Sequence, residues 1–294
     1  MRVLISGAGG LIGTELIRQL KDLGHEPIAL VRRKATSENE ISWNPGSEPL
    51  DPAVMESIDA VVNLGGATTG RIPWTKSYMK TLINSRLDTT KTLVDAINAS
   101  KNQPQVLISG SASGIYGDRG DELLTEESGK GEGFLSDLAF DWETAAAKAN
   151  TRVVLVRTTL VMSKKLGALG RLIPLIKLGI GGPLGSGKQW WAWISLEDEA
   201  RAIIHLINNQ QAEGAYNLTA PEPATCKQLI SVLGKALHRP TFFRVPAWVM
   251  RLLIGVAADE LLLCSQKMTA DKLLATGFEF SHPTLEKSVD YVVS

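Results

Sequence analysis

The stretch that decides the fold reads Val3-Leu4-Ile5-Ser6-Gly7-Ala8-Gly9-Gly10-Leu11-Ile12-Gly13. A short apolar strand leads directly into a turn with glycines at 7, 10 and 13, and an amphipathic helix is predicted over residues 14–23. Glycine permits the sharp turn, the approach of backbone N–H groups to a pyrophosphate, and close packing of helix on strand. An ordinary strand-to-helix turn is the alternative. The N-terminal position and the second strand that follows favour a dinucleotide site, with these backbone groups on the phosphates: Gly7, Gly10, Leu11, Ile12 and Gly13.

Length and composition restrict the class of protein. The 294 residues, 44% hydrophobic and 21% charged, are enough for one large α/β domain and a smaller lobe. The 31 basic and 31 acidic residues give zero net charge, which argues against nucleic acid or an anionic membrane as partner and favours a small-molecule substrate. Two cysteines and four scattered histidines show no metal-ligand spacing, so no metal is predicted. Without a visible signal peptide, a cytoplasmic location is expected.

The end of the second strand, predicted over residues 25–31, indicates which cofactor is bound. In an NAD site an acidic residue at this point binds the ribose 2′-hydroxyl. Here the strand ends in Arg32, Arg33 and Lys34, whose positive charges would attract a 2′-phosphate. NADP(H) is therefore the predicted cofactor, with Arg32 and Arg33 on the phosphate; a solvated basic loop is the alternative.

Three further segments supply candidate cofactor contacts. The buried strand over residues 59–67 ends in small residues, which let the chain pass close under a cofactor, so Leu64 and Gly65 are assigned to its adenosine or pyrophosphate side. The helix predicted over residues 75–99 carries Arg86, a candidate for a phosphate, although an exposed helical arginine is the commoner case. After the strand at residues 152–157, Val161 is expected beside the nicotinamide.

The fifth strand leads into Ser-Ala-Ser-Gly-Ile-Tyr-Gly-Asp at residues 111–118. With the glycine turn, the strand end at residues 63–66 and Trp193-Ile194-x-x-x-Asp198, this segment resembles the extended short-chain dehydrogenase/reductase superfamily. Trp142-Glu143, the loop at residues 181–189 and the C-terminal lobe resemble, more narrowly, its atypical epimerase-family (nucleoside-diphosphate-sugar epimerase-like) proteins. The resemblance implies a Rossmann-like, doubly wound parallel sheet that binds NADP(H), closed by a smaller C-terminal lid. We expect residues 1–165 and 194–220 to form the cofactor domain, and residues 166–193 and 221–294 the substrate-side lobe.

The catalytic pair of that superfamily is missing. In a Tyr-x-x-x-Lys motif the lysine and the ribose lower the pKa of the phenol, so that it exchanges a proton while the cofactor exchanges hydride. None of the four tyrosines is followed by lysine at this spacing. Alignment of the helix on Glu143 places Leu135 and Ala139 at the two positions.

Two hypotheses follow from this departure. In the first, the protein is an epimerase/dehydratase-like enzyme or oxidoreductase acting on a sugar nucleotide or another small carbonyl or carbinol compound. Ser111 or Ser113 would then orient a substrate oxygen, and Tyr116 or Asp137 would supply the proton. In the second, the protein is a non-catalytic, regulatory NADP(H)-binding module. For Ser111, Ser113 and Tyr116, turn chemistry and packing are the alternative, and for Tyr116 packing is the commoner role.

The remaining chain adds weaker signals. Residues 167–187 are rich in glycine at irregular spacing and predict a mobile loop lining a pocket. Lys188 and Gln189 follow and are candidates for a substrate phosphate or carboxylate. The resemblance also shows that Ser195 stands where relatives usually carry histidine. An apolar helix starts at Pro246, and its residues are spaced for core packing, with an exposed part as a candidate homodimer surface.

Overall fold

The structure, a computed structural model, describes residues 1–164 and 167–294. Its strands are β1 (Arg2–Ser6), β2 (Glu26–Val31), β3 (Glu40–Ser42), β4 (Ala60–Asn63), β5 (Val106–Ala112), β6 (Leu123–Leu124), β7 (Arg152–Thr158), β8 (Leu160–Met162), β9 (Trp190–Trp191), β10 (Trp193–Ser195), β11 (Gly214–Leu218), β12 (Ala224–Thr225) and β13 (Lys267–Met268). Its α-helices are α1 (Leu11–Asp22), α2 (Lys76–Ala99), α3 (Phe134–Ala146), α4 (Gly167–Lys177), α5 (Leu196–Asn208), α6 (Cys226–Ala236), α7 (Ala247–Ile254), α8 (Asp271–Ala275) and α9 (Leu285–Val293). Short helical turns cover Pro52–Ser57, Ser113–Tyr116 and Asp259–Leu263.

The main sheet has seven strands in the order β11-β7-β5-β4-β1-β2-β3, and every neighbouring pair is parallel. The chain moves outward from β1 to β2 and β3 on one side, and to β4 and β5 on the other, so the order reverses beside β1. Because the strands are parallel, their carboxyl ends share one edge, where Ser6 pairs with Asn63 and Asn63 with Ser109. Ligands of such sheets bind at this reversal. The Rossmann-like, doubly wound expectation is confirmed.

Helices cover both faces of the sheet, because successive strand residues point to opposite sides. Val3 and Ile5 of β1 lie in one core cluster with Leu16 of α1 and Ile203 of α5. Leu4, between them in sequence, lies in a second cluster formed with residues of α2. The apolar run of β1 is therefore buried on both sides and holds the turn that follows it in place.

The C-terminal part of the chain has its own apolar cluster, in which α6 packs on α9. It also contacts α3 directly, because both carboxylate oxygens of Glu260 accept backbone hydrogen bonds, from Phe134 at 2.9 Å and Leu135 at 3.0 Å. The division of the chain into two domains stays a prediction. Its boundary at 165/166 falls on residues outside those that the structure describes.

The predicted mobile loop over residues 167–187 is wrong in its first half, where the structure has α4 with Pro174 inside it. Glycines suggested a loop, but Leu169, Leu172 and Ile176 recur at helical spacing and pack in the C-terminal cluster. Tertiary packing therefore overrides the local preference of the glycines. Within residues 1–164 and 167–294, no helix combines the length and the apolar character needed to cross a membrane.

Candidate functional site

The glycines of the first turn fall into two kinds. Gly7 has a φ of +72°, and a Cβ there would lie 2.5 Å from the carbonyl oxygen of Leu64. A Cβ on Gly13 would clash with the Gly7 carbonyl and lie 2.9 Å from the Ala8 Cα. In contrast, a Cβ on Gly9 would meet nothing within 4 Å, and one on Gly10 only the Gly7 carbonyl oxygen, at 3.1 Å. Chain packing requires glycine at 7 and 13, whereas the space beside 9 and 10 is open.

The start of α1 lies at this open space. Gly10 is the N-cap residue, with an extended ψ of 174°, and no side chain caps the helix. The first turn also contains no acidic residue. Because the first N–H groups of a helix have no partner within it and carry the positive end of its dipole, the backbone at Leu11, Ile12 and Gly13 is suited to an anion.

Buried hydrogen bonds hold the end of β4 against this turn. The Ser6 hydroxyl donates to Asn63 Oδ1 at 2.6 Å and accepts from the Gly65 backbone N–H at 3.1 Å. The Asn63 amide in turn donates to Thr90 Oγ1 of α2 at 2.8 Å. Sequence reasoning selected Leu64 and Gly65 but missed the three polar side chains that hold them. A polar residue at the end of an otherwise apolar strand is the signal that marks Ser6 and Asn63.

The two arginines after β2 have different surroundings. Arg33 forms a bidentate pair with Glu40, at 2.5 and 2.8 Å, and this pairing lowers the pKa of the Glu40 carboxyl to about 2. Arg32 is exposed, and among the described residues its side chain has no hydrogen-bond or ion-pair partner. Arg32 is thus an available cation at the end of β2, together with the exposed Lys34, whose amino group has no partner among the described residues either.

Arg86 lies beside the small residues that follow β4. Its Nη1 donates to the carbonyl oxygens of Ala67, at 3.2 Å, and Leu82, at 3.1 Å. Its Cζ stands 5.2 Å from the centre of the Trp142 ring, and a Cβ on Gly66 would lie 3.1 Å from that atom. Burial lowers the pKa of the guanidinium to about 10, and no carboxylate of the described residues pairs with it. Arg86 is therefore a cation without a counter-ion at the ligand edge of the sheet.

A second polar cluster, which we call the β5 network, consists of Ser111, Tyr116, Glu143, Arg157 and Asn217. The Ser111 hydroxyl donates to Glu143 Oε1 at 2.6 Å, and Arg157 pairs with both oxygens of that carboxylate at 2.8 and 2.9 Å. Arg157 Nη1 also donates to the Tyr116 hydroxyl at 2.8 Å, and that hydroxyl donates to Asn217 Oδ1 at 2.7 Å. All five residues are buried, so the cluster joins β5, α3, β7 and β11.

The β5 network engages two of the proposed catalytic hydroxyls. Tyr116 has no exposed surface, and burial is the main cause that raises the pKa of its phenol. Its hydroxyl both accepts and donates within the cluster, and the Ser111 hydroxyl is bound to Glu143. These positions favour a structural role. Sequence reasoning missed Arg157 and Asn217, although a charged residue inside an apolar strand is a recognisable signal.

The other acid/base candidates lie in different surroundings. The hydroxyl of Ser113, half-buried at the start of the turn after β5, has no hydrogen-bond partner among the described residues. Asp137 is on the solvent side of α3, where its carboxylate pairs with Lys130 at 2.6 Å. Leu135 and Ala139, which the alignment on Glu143 assigns to the tyrosine and lysine positions of the catalytic motif, both lie in apolar clusters. Of the four candidates, Ser113 alone combines a place directly after β5 with a hydroxyl that has no hydrogen-bond partner among the described residues.

The two residues proposed for the substrate also lie in different surroundings. Lys188 is exposed, and its backbone N–H donates to Ser186. Gln189 is buried, and its amide donates to the carbonyl oxygens of Leu184 and Leu262, each at 3.0 Å. The amide of Gln189 thus links two loops, whereas the amino group of Lys188 remains available.

Val161 and Ser195 lie on neighbouring strands, β8 and β10. Val161 is half-buried and packs against the main core. Ser195 is the N-cap of α5, where its hydroxyl accepts from the Asp198 backbone N–H at 3.0 Å and lies 3.1 Å from His282 Nδ1. An imidazole from the C-terminal segment therefore lies beside Ser195, the position at which the family resemblance leads us to expect histidine.

A buried acid, Glu199 of α5, was missed by sequence reasoning. Its Oε1 accepts from the Thr158 hydroxyl at the end of β7, at 2.6 Å, and its Oε2 has no partner among the described residues. Burial raises the pKa of this carboxyl to about 8. The neutral form is therefore favoured near neutral pH.

A parallel sheet with a glycine turn and an uncapped helix at the reversal of strand order defines a Rossmann-type dinucleotide-binding fold. The chain belongs to the NAD dependent epimerase/dehydratase family, which matches residues 3–219. A further match, to a domain of unknown function (DUF1731), covers residues 245–291. The family resemblance drawn from the sequence motifs is confirmed.

Relatives match along almost the whole chain. It is 37% identical over 295 residues to an epimerase family protein of Mycobacterium leprae, covering 99% of this chain and 95% of that one. The crystal structure of human epimerase family protein SDR39U1 (isoform 2) with NADPH has a TM-score of 0.92 and 32% identity, over 99% of both chains. The nucleoside-diphosphate sugar epimerase of Corynebacterium glutamicum has a TM-score of 0.80 and 30% identity, over 99% of this chain and 58% of that one.

Proposed function

We propose that this chain binds NADP(H) at the carboxyl edge of its main sheet. The observation that carries the proposal is the uncapped start of α1 beside the open space at Gly9 and Gly10. The pyrophosphate binds the backbone there, and the adenosine side lies at Leu64 and Gly65. The NADPH complex of the human relative, at a TM-score of 0.92, supports this placement.

Arg32 selects NADP(H) over NAD(H). It is the cation nearest the end of β2 that has no partner among the described residues, whereas Arg33 is held by Glu40. Glu40 is in turn held by Arg33, and so is not free to bind a ribose hydroxyl. Arg86, which lacks a counter-ion at the same edge, adds positive charge near the cofactor.

Titration of NADPH and NADH into the purified protein tests this assignment. We expect Arg32→Asp to weaken NADPH binding at least about tenfold, because a charge-assisted hydrogen bond contributes roughly 1.5–3 kcal/mol. NADH binding should change little. Lys21→Asp, in the last turn of α1 at the opposite end of the helix, carries the same charge change and should bind NADPH normally. Equal affinity of the unmodified protein for the two cofactors would refute the assignment.

The bound cofactor would supply or accept hydride, and we infer that the substrate is a small carbonyl or carbinol compound, with sugar nucleotides as the first class to test. The chain must then orient a substrate oxygen. Ser113 is the best candidate, because its hydroxyl is unbound, whereas the hydroxyls of Ser111 and Tyr116 are held in the β5 network. Those two residues position the loop. Asp137 is directed to solvent, so a proton role for it requires α3 or the lobe to move.

A second function, NADP(H) binding without turnover, is favoured by one specific observation. The two positions that the alignment on Glu143 assigns to the acid/base pair hold Leu135 and Ala139, and both pack in apolar clusters. No described side chain at these positions exchanges a proton. The chain would then serve as a module that responds to the ratio of NADP to NADPH.

One experiment separates the two functions. NADPH absorbance is followed with a panel of ketones, aldehydes and sugar nucleotides, and epimerised products are sought by chromatography. For any substrate found, Ser113→Ala should lower kcat by about 10²–10⁴-fold, the usual contribution of a positioned acid/base group, with NADPH affinity unchanged. Ser113→Thr, which keeps the hydroxyl, should restore part of the rate. NADPH binding without turnover of any compound would favour the binding module.

A further inference from the structure

The segment at residues 242–256 exposes an apolar surface that the sequence analysis assigned mainly to core packing. Met250 is the one buried residue of α7, although every residue of the helix except Arg251 is apolar. Six large apolar residues of the segment are exposed, and we call them the α7 face: Phe242 (72%), Phe243 (52%), Trp248 (66%), Leu252 (76%), Leu253 (66%) and Val256 (44%). The prediction of a core role is wrong for Leu252, Leu253 and Val256.

The α7 face is large for a surface that stays in water. With aromatic side chains of about 150–250 Å² each, the six residues expose on the order of 600–700 Å². The largest apolar patch of an ordinary monomer is about 300–600 Å², and a standard interface takes about 800 Å² from each partner. Exposed Leu178 and Ile180 lie next to it, because Gly182 packs against the backbone of Phe243. The area available therefore matches what a stable dimer needs.

Charge on the face points to a second copy of the same chain. Arg251 is the charged residue of α7, and Asp259 of the same chain binds its Nε at 3.0 Å and its Nη2 at 2.8 Å. In a twofold contact each residue meets a region that its own copy also presents, so unneutralised charge near the axis would repel itself. An anionic bilayer needs free cations, and α7 presents none. Arg244, which precedes α7, donates to the Gly185 carbonyl but keeps its charge, so a twofold contact must leave it outside the axis.

We propose that the α7 face is the interface of a homodimer, in which α7 packs against its counterpart about a twofold axis. Leu252, Trp248 and Leu253 are its central contacts, because they are the three most exposed large side chains of the helix. The ion pair of Arg251 with Asp259 lies at the side of the contact and keeps it neutral. This proposal is independent of cofactor binding and of catalysis.

Sedimentation equilibrium of the full chain over a range of concentrations tests the proposal. We expect twice the monomer mass at micromolar concentration. Leu252→Asp should raise the dissociation constant at least 100-fold, because each dimer then buries two unpaired carboxylates. Since Leu252 is already exposed, the circular dichroism and thermal midpoint of the separated monomer should be retained. Leu23→Asp, at an exposed leucine after α1, is the matched control and should leave the dimer intact.

Three outcomes would overturn the proposal. The first is a monomer at about 100 μM, a concentration at which even a weak interface is partly occupied. The second is a dimer whose dissociation constant is the same in the Leu252→Asp variant. The third is binding of the unmodified monomer to vesicles of phosphatidylcholine and phosphatidylglycerol that the same substitution removes, which would assign the face to a lipid surface.

Discussion

The glycine turn and the β5 network lie at the same edge of the sheet, yet they are built in opposite ways. The turn leaves backbone donors at the start of α1 uncapped and leaves space beside Gly9 and Gly10. In the β5 network the Tyr116 hydroxyl and the Glu143 carboxylate both have partners, and all five residues are buried. A ligand site requires unsatisfied groups with room around them, whereas a satisfied buried network holds its elements rigid. This difference indicates that the glycine turn is a binding surface, whereas the β5 network supports the fold.

The largest expected effect comes from breaking the support. Arg157→Ala leaves the Glu143 carboxylate buried without its cation, which typically costs about 3–5 kcal/mol of folding free energy. Urea denaturation should show this loss with little change in the m-value. Arg18→Ala, which removes an exposed ion pair with Glu15 and Asp22, is the control and should cost about 1 kcal/mol or less. Similar losses in both variants would mean that the β5 network does not hold the strands together.

The second test fills the open space. A branched side chain at Gly10 stands where the pyrophosphate must meet backbone N–H groups, so Gly10→Val should weaken NADPH binding beyond the range of the titration, by at least about 100-fold. The fold should survive, because a Cβ there approaches a single carbonyl oxygen, at 3.1 Å. Gly129→Val, at an exposed glycine with open space, is the control and should bind normally. Normal NADPH affinity in Gly10→Val would make the turn purely structural.

Gly13→Ala sharpens the same comparison from the other side. Its Cβ would clash with the Gly7 carbonyl and meet the Ala8 Cα at 2.9 Å, so the cost falls on the fold. We expect its thermal midpoint to drop even without cofactor, whereas that of Gly10→Val should stay near the unmodified value. Equal midpoints would contradict the division of the glycines into packing and binding positions.

The next prediction concerns Glu199, a buried acid of which only one carboxylate oxygen has a hydrogen-bond partner among the described residues. Its pKa is about 8 in the folded protein and near 4.5 when unfolded, so between these values the folded state holds a proton that the unfolded state releases. Stability must therefore fall as pH rises through this window, by about 1.4 kcal/mol per pH unit from this group, with the loss complete above pH 8. Glu199→Gln should remove that slope. The free energy of unfolding of the variant should exceed that of the unmodified protein most at pH 9. Parallel stability curves from pH 5 to 9 would show that the carboxyl is ionised in the folded state.

The smallest expected effect is that of Tyr116→Phe. Loss of the hydroxyl leaves an N–H of Arg157 and the carbonyl of Asn217 unpaired in the core, which costs about 1–3 kcal/mol. Because the phenol is fully buried and its hydroxyl is bound within the β5 network, kcat on any substrate found should change less than about threefold. Tyr78→Phe, whose hydroxyl binds the Thr68 carbonyl near the surface, should be milder still. A drop of 10²-fold or more in kcat at unchanged stability would return Tyr116 to the chemistry.

The sequence by itself determined the sheet, the glycine turn and the family, because these follow from local patterns. Each of these features is a short pattern: the alternation of strand and helix periods, the glycines at 7, 10 and 13, and the cations after β2. The absence of the Tyr-x-x-x-Lys pair is equally local. The irregular glycines of residues 167–187 led to the wrong prediction of a loop, because α4 is stabilised by packing against the C-terminal lobe.

Tertiary structure decided which of the selected side chains are available for a ligand. Arg32 and Arg33 are equivalent in sequence, but the return of the chain through Glu40 occupies only Arg33. Tyr116 and Ser113 are three residues apart, yet Asn217, 101 positions from Tyr116, closes off one hydroxyl while the other stays unbound. Leu252 is likewise exposed because no other described element of the chain covers this side of α7. Whether a polar group is hydrogen-bonded or available depends on partners that are distant in sequence, and these cannot be predicted from a local pattern.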